Sequence, residues 1–184
     1  AWPLKELLVV KRCIHTSADF DYGDNLVFSP GAVDTALDAL KRGVTIVTDT
    51  SMAAAGINKR SAAALGVEVL CFISDPDVAE EAKRRGVTRS AVCMEKAAAL
   101  GRPVIAAVGN APTALIRLKE LADEGKFRPE LIIGVPVGFV NVVEAKEMIL
   151  ESDIPHIVAK GRKGGSNIAA AIVNALLYQV HREM

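Results

Sequence analysis

The stretch Val104-Ile105-Ala106-Ala107-Val108-Gly109-Asn110-Ala111-Pro112-Thr113 decides the fold of this chain. It joins five consecutive apolar residues to a turn of glycine, asparagine and proline, and a helical pattern follows over residues 112–124. A short run that is apolar throughout is typical of a strand covered on both faces, as in a parallel sheet. The stretch therefore predicts one strand, turn and helix of an α/β protein.

The same order of strand, turn and helix recurs along the chain. Further strands are predicted at residues 44–48, 67–73, 131–135 and 156–159, whereas residues 16–29 are predicted to be irregular. Helices are predicted at residues 4–15, 30–42, 51–64, 76–85, 88–100, 112–124, 141–151 and 166–181. The alternation predicts a three-layer α/β/α sandwich with a mostly parallel five-stranded sheet. No break in composition divides residues 1–184, so we predict a single domain.

The composition argues against several classes of protein. Aromatic residues make up only 4% of the chain, and 22 basic residues balance 22 acidic ones. Because no net positive charge would attract nucleic acid, we expect no nucleic-acid partner. No apolar run reaches about 18 residues, so we expect no transmembrane helix and no membrane partner. The three cysteines form no CxxC pair, which favours reduced thiols and a cytoplasmic location.

The turns after the predicted strands are the candidate binding region, because open parallel sheets bind ligands outside the carboxyl ends of their strands. Residues 161–165, which we call the glycine turn, precede a helix and carry Arg162 and Lys163, an arrangement that suits an anion. A Rossmann-like nucleotide-binding enzyme is therefore one alternative, although the glycines fit neither the Walker A nor the dinucleotide spacing. Taken singly, each turn also has a structural explanation in helix capping.

His15 is the candidate for proton transfer. It ends the first predicted helix, where the helix dipole favours an imidazolium, and the hydroxyls and carboxylate of residues 16–19 could orient its ring. The other two histidines, His156 and His181, fall in a strand and at a helix end. Three scattered histidines and three scattered cysteines have no zinc-ligand spacing, so no metal site is predicted.

Six stretches carry a family resemblance, in the same order over nearly the whole chain. They are residues 14–20 (IHTSADF), 28–32 (FSPGA), 48–52 (TDTSM) with 55–58 (AGIN), 109–115 (GNAPTAL), 134–140 (GVPVGFV) and 161–166 (GRKGGS). Together they resemble the precorrin-8X methylmutase family, the (cobalt-)precorrin-8 methylmutase of cobalamin biosynthesis. The resemblance implies an isomerase that moves a methyl group from C-11 to C-12 of the corrin ring, giving hydrogenobyrinate or cobyrinate. It further implies an α/β/α homodimer without a nucleotide or redox cofactor, and it makes His15 the catalytic histidine.

The implied substrate is a large, flat tetrapyrrole with many carboxylates. Such a ligand calls for an apolar crevice with cations and backbone donors at its rim, and the methyl shift calls for a well-placed proton donor rather than a nucleophile or metal. The residues expected to bind it are Lys11, Arg12, Thr16, Asp49, Met52, Lys59, Arg89, Asn110, Thr113, Arg117, Val137, Gly138, Phe139, Arg162 and Ser166. A non-catalytic corrinoid-binding relative is the second alternative.

Overall fold

The computed structural model describes residues 1–181, and within that range one six-stranded sheet runs through the middle of the structure. The spatial order is β1-β6-β5-β4-β2-β3; β1 is antiparallel to β6, and every other neighbouring pair is parallel. The strands are β1 (Leu26–Phe28), β2 (Thr45–Thr48), β3 (Val69–Cys71), β4 (Val104–Val108), β5 (Leu131–Gly134) and β6 (His156–Ala159).

Strand β1 corrects the predicted count of five strands. It lies within residues 16–29, which were predicted to be irregular, and three residues are too few for a strand pattern to show. Leu26 pairs with Ala159 and Phe28 with Ile157, and the Lys160 N–H extends the ladder by donating to the Asn25 carbonyl. Tertiary pairing with β6, rather than local propensity, therefore makes this segment a strand.

Helices cover both faces of the sheet, so the predicted three-layer sandwich is confirmed. The helix predicted at residues 51–64 is two helices, because the Asn58 side chain accepts from the Ser61 N–H and starts a new helix there. The described helices are α1 (Leu4–Ser17), α2 (Tyr22–Asn25), α3 (Ala32–Lys41), α4 (Ser51–Gly56), α5 (Lys59–Ala64), α6 (Pro76–Arg85), α7 (Arg89–Ala99), α8 (Pro112–Asp123), α9 (Val142–Leu150) and α10 (Ser166–Val180).

Two apolar clusters, one on each face of the sheet, form the core. Helices α1, α3, α4 and α10 pack on one face, where the buried side chains include Val9, Leu40 and Ile172. Helices α6 to α9 pack on the other face, around residues such as Leu118 and Ile149. Because strands β2, β4, β5 and β6 are buried at every position, their largely apolar sequences follow from having both faces covered.

The strand order determines where a ligand could bind. From β2 the chain crosses to β3 on one side, then returns to β4 on the other side of β2, so the connections diverge between β2 and β4. Crevices form at such a switch point, outside the carboxyl ends of the strands. We call this end of the sheet the carboxyl edge; its turns are residues 49–51, 109–112, 135–141 and 160–166.

Candidate active site

Asp49 lies at the switch point on the carboxyl edge, between the turns after β2 and β4. Its side chain is only 1% exposed, and it accepts hydrogen bonds from the backbone N–H groups of Gly109 (2.8 Å), Asn110 (2.8 Å) and Ala111 (2.7 Å). Burial raises the pKa of this carboxyl group, whereas the three amide donors act to lower it. Asp49 therefore joins the turn after β2 to the turn after β4, and both of its oxygens are occupied by the protein itself.

The glycine turn locks into the same edge. Gly165 N–H donates to the Val135 carbonyl at 2.9 Å, and the hydroxyl of Ser166 lies 2.7 Å from that of Thr50. A Cβ on Gly164 would lie 2.1 Å from the Val135 oxygen, and one on Gly109 would lie 2.6 Å from the Ser166 Cα. Side chains are therefore excluded at Gly164 and Gly109, and the turns after β2, β4, β5 and β6 pack directly on one another.

These contacts weigh against the nucleotide-binding alternative. Phosphate sites in α/β proteins use free backbone N–H groups at a helix start. Here the N–H groups before α8 donate to Asp49, and the Gly165 N–H before α10 donates to Val135. The lysine that made the glycine turn resemble an anion site is also engaged, because Lys163 bonds to two carboxylates.

Lys163 joins the residues that follow His15 to the carboxyl edge. Its ammonium nitrogen lies 2.7 Å from Asp19 Oδ2 and 2.6 Å from Asp21 Oδ2, so the glycine turn holds residues 15–21, which we call the His15 segment. The hydrogen bond from Lys163 lowers the pKa of the Asp19 carboxyl group, and the two carboxylates raise the pKa of the lysine. Asp19 and Asp21, which follow the proton-transfer candidate, thus contact the glycine turn although the two segments are far apart in sequence.

His15 itself lies in the last turn of α1 with an exposed side chain. Ala18 ends the helix in the left-handed conformation, at φ 57°. The Ser17 hydroxyl donates to the Cys13 carbonyl and accepts from the Asp19 N–H. Ser17 and Asp19, predicted to orient the imidazole, therefore have hydrogen bonds that shape the backbone after His15.

Several large apolar side chains at the carboxyl edge are exposed. Three of them were predicted to line the crevice: Met52, Val137 and Phe139, of which Phe139 is 83% exposed. Sequence reasoning missed Phe20, which is 80% exposed, and Val140. Both stand beside glycine- or aspartate-rich turns, where a bulky apolar residue has no core to fill, and that was the available signal.

The predicted cations separate into two groups. Arg12, Lys59 and Arg117 have partners within the protein: Arg12 lies over the Tyr178 ring with 5.0 Å to its centroid, Lys59 donates to the carbonyls of Ala54 and Ile57 at the end of α4, and Arg117 pairs with Glu95 and Glu120. Lys11, Arg89 and Arg162 have exposed side chains. Of these, Arg162 stands in the glycine turn itself.

The remaining predicted residues also divide by position. Asn110 is exposed at the carboxyl edge, the Gly138 N–H donates to the Arg162 carbonyl at 3.1 Å, and Thr16 is exposed beside His15. Thr113 instead bonds through its hydroxyl to Thr88, at the start of α7. The structure thus brings most of the predicted set to one edge, and it places Thr113 and Arg117 in the α7–α8 groove on the face away from α1, with Arg89 exposed at the start of α7.

Metal-binding clusters and membrane-spanning helices are both absent from residues 1–181. No group of three or more histidine, cysteine, aspartate or glutamate side chains in that range could hold a metal ion. No helix there is both long and apolar enough to cross a membrane.

Comparison with known proteins identifies the family of this chain. The family model for precorrin-8X methylmutase matches residues 1–179. The chain belongs to this family. It is 49% identical to a cobalt-precorrin-8 methylmutase of Salmonella typhimurium over 181 residues, which cover 98% of this chain and 84% of the relative. A precorrin-8X methylmutase of Pseudomonas aeruginosa is 42% identical, covering 90% of this chain and 80% of the relative.

Solved structures of the precorrin-8X methylmutase family have the same fold. A crystal structure of precorrin-8X methylmutase from Thermus thermophilus superposes with a TM-score of 0.90 at 38% identity, covering 98% of this chain and 88% of that one. A structure described as a precorrin-8X methylmutase related protein gives a TM-score of 0.88 at 34% identity, covering 96% and 93% of the two chains.

Proposed function

We propose that this protein is an isomerase of cobalamin biosynthesis that moves a methyl group from C-11 to C-12 of precorrin-8 or its cobalt form. The product is hydrogenobyrinate or cobyrinate. The observation that carries the proposal is the match of the precorrin-8X methylmutase family model to residues 1–179. The attachment of the His15 segment to the carboxyl edge supports it, because the family resemblance makes this histidine catalytic.

His15 is the proposed proton donor. In the [1,5]-shift the bond from the methyl group to C-11 breaks as the bond to C-12 forms, and the conjugated double bonds rearrange. His15 donates a proton to the conjugated system and accepts it back after the shift, so substrate and product have the same composition. General acid–base catalysis of this kind contributes about 10²–10⁴-fold in rate.

The rest of the carboxyl edge supplies binding groups. Met52, Val137 and Phe139 offer apolar surface to the macrocycle, and their exposure leaves that surface free for it. Arg162 and Lys11 are exposed cations for the peripheral carboxylates, and charge-assisted hydrogen bonds of this type are the strong ones. Asp49 has a structural role in this proposal rather than a direct contact with the substrate, because it holds the turn that carries Asn110.

We also propose a homodimer in a reducing compartment, the cytoplasm. Phe20 and Val140, which the substrate proposal does not use, are 80% and 79% exposed, and exposed apolar surface of this kind favours an interface. All three cysteines are free, and burial raises the pKa of Cys13 and of Cys93 to about 12. Sedimentation of the chain and of Val140→Ser should give a dimer and a weakened dimer; a wild-type monomer would refute this assembly.

The test of the proposed function is turnover followed by visible absorption. Incubation of the chain with precorrin-8 or cobalt-precorrin-8 should convert the spectrum to that of the product chromophore. Tight binding without a spectral change would instead identify the non-catalytic corrinoid carrier. Calorimetric titration with ATP, NAD and coenzyme A should show no heat, whereas binding of one of them would favour the nucleotide enzyme.

A further inference from the structure

A lysine is buried beneath the glycine turn. Lys146 lies in α9 with 1% of its side chain exposed, between the buried residues Ala145 and Ile149. Its ammonium group donates to the carbonyls of Gly161 at 2.7 Å and Lys163 at 2.9 Å. Burying a charged group is unfavourable unless it is hydrogen-bonded. The two carbonyl acceptors therefore account for the presence of a lysine at this buried position. Burial lowers the pKa of Lys146 to about 8.

Lys146 bonds to alternate carbonyls of the glycine turn. The carbonyl between them, that of Arg162, accepts from the Gly138 N–H at 3.1 Å. Three successive carbonyls are therefore directed inward to donors from α9 and from the turn after β5. Because the backbone of Lys163 is held in this way, its side chain extends from a fixed point toward Asp19 and Asp21.

We propose that Lys146 is a positioning residue, which fixes the glycine turn and through Lys163 holds the His15 segment against the carboxyl edge. The path has three steps: the Lys146 ammonium to the Lys163 carbonyl, the Lys163 ammonium to Asp19 and Asp21, and the backbone of that segment to His15. This inference rests on the proposed function only for the catalytic role of His15. The path itself consists of hydrogen bonds in the structure. Lys146 does not touch the substrate in this account.

Amide hydrogen exchange measures the path independently of turnover. The N–H groups of Gly138 and Gly165 report on the glycine turn, and those of Asp19 and Asp21 report on the His15 segment, because each donates a described hydrogen bond. Lys146→Met keeps the length of the side chain but removes its donors. All four amides should then exchange at least about tenfold faster, because the glycine turn and the His15 segment open more readily. Unchanged exchange at Asp19 and Asp21 would overturn the proposal.

Two further variants make the exchange experiment specific. Lys163→Met leaves Lys146 in place, so it should speed exchange at Asp19 and Asp21 while Gly138 and Gly165 stay protected. Ile149→Ala, a change at a buried apolar residue of the same helix, controls for general destabilisation and should not single out these four amides. If Lys146→Met does not fold, Lys146→Gln, which retains an amide donor, gives a weaker form of the same comparison. An unchanged His15 segment in Lys163→Met would also refute the path.

Turnover then tests whether the path matters for the reaction. Lys146→Met should lose at least about tenfold in kcat/KM at a temperature where it is fully folded, as misplaced catalytic groups do. The double variant with Lys163→Met should be no worse than Lys146→Met alone, because both changes break one path. Additive losses, or wild-type kcat/KM in Lys146→Met, would contradict the positioning role. If the wild-type chain has no methylmutase turnover, the proposed function fails, and the exchange results still decide whether Lys146 holds the His15 segment.

Discussion

The Lys163 ammonium lies 2.7 Å from the Asp19 carboxylate, and the two residues are 144 positions apart in the chain. This ion pair joins the segment that follows α1 to the turn after β6, at the carboxyl edge. The pair is exposed, so screening by solvent and salt makes it a minor contributor to global stability. Its effect is local, on where the His15 segment sits.

Replacing Asp49 by alanine should destabilise the fold strongly. The change leaves the buried amides of Gly109 and Ala111, and that of Asn110, without their acceptor, and we expect a loss of at least about 3 kcal/mol in the free energy of unfolding. Urea denaturation measures it. Asp34→Ala is the matched control, because Asp34 is an exposed partner of Lys5, and its unfolding midpoint should stay unchanged. Equal midpoints for the two variants would show that Asp49 is not the clamp described.

Gly164→Ala should destabilise the protein by about 1–3 kcal/mol, as overpacking of a rigid contact does. The added Cβ would lie 2.1 Å from the Val135 oxygen, a backbone atom that cannot move aside. Gly23→Ala is the control, since no atom lies within 4 Å of a Cβ there and Gly23 is in a helical turn. That variant should gain up to about 1 kcal/mol from helix propensity. Thermal unfolding of both compares them, and a neutral Gly164→Ala would contradict the packing of the glycine turn.

Lys146 predicts a gain in stability at alkaline pH. Its pKa of about 8 in the folded state lies below its value of about 10.4 in an unfolded chain, because burial disfavours the charged form. The unfolded state therefore binds more protons between these pH values, and the penalty of burying the charge is relieved as the pH rises through them. Unfolding free energies of the wild type and Lys146→Met, compared at pH 7 and pH 9.5, should show the wild type gaining relative to the variant. A constant difference would mean that the lysine is not titrating in the fold.

The cysteines should differ in reactivity. Cys13 and Cys93 are buried and burial raises the pKa of each to about 12, whereas Cys71 is partly exposed. Since the thiolate is the reactive form, a thiol reagent should modify Cys71 first in the native protein. Mass spectrometry of the partly modified chain locates the label, and denatured protein, in which all three should react, is the control. Early labelling of Cys13 would indicate that α1 opens readily.

Sequence reasoning was most successful where the signal is local. The uniformly apolar run of Val104–Val108 and its equivalents predicted buried parallel strands, and the strand-helix order predicted the three layers. Strand β1 was missed because only its pairing with β6 makes it a strand. The intramolecular partners of the long cations had no sequence signal: Arg12 stacks on Tyr178 and Arg117 pairs with Glu95, and such partners follow from tertiary packing rather than from spacing along the chain.

The burial of Lys146 had no sequence signal either. A lysine in a helical pattern is usually solvated, and its burial depends on how α9 meets the glycine turn. The same holds for Asp49, which stands in a turn where helix capping is the ordinary explanation. Its three amide donors come from a turn 60 to 62 residues away.

The most direct test of the account is turnover by His15→Ala with substrate binding measured in parallel. The wild-type chain should convert precorrin-8 or its cobalt form to the product chromophore. His15→Ala should lose at least about 100-fold in kcat, because general acid catalysis is removed. Calorimetric titration with the product should give nearly the same affinity for both proteins. Wild-type kcat in His15→Ala would contradict the central claim that His15 is the proton donor.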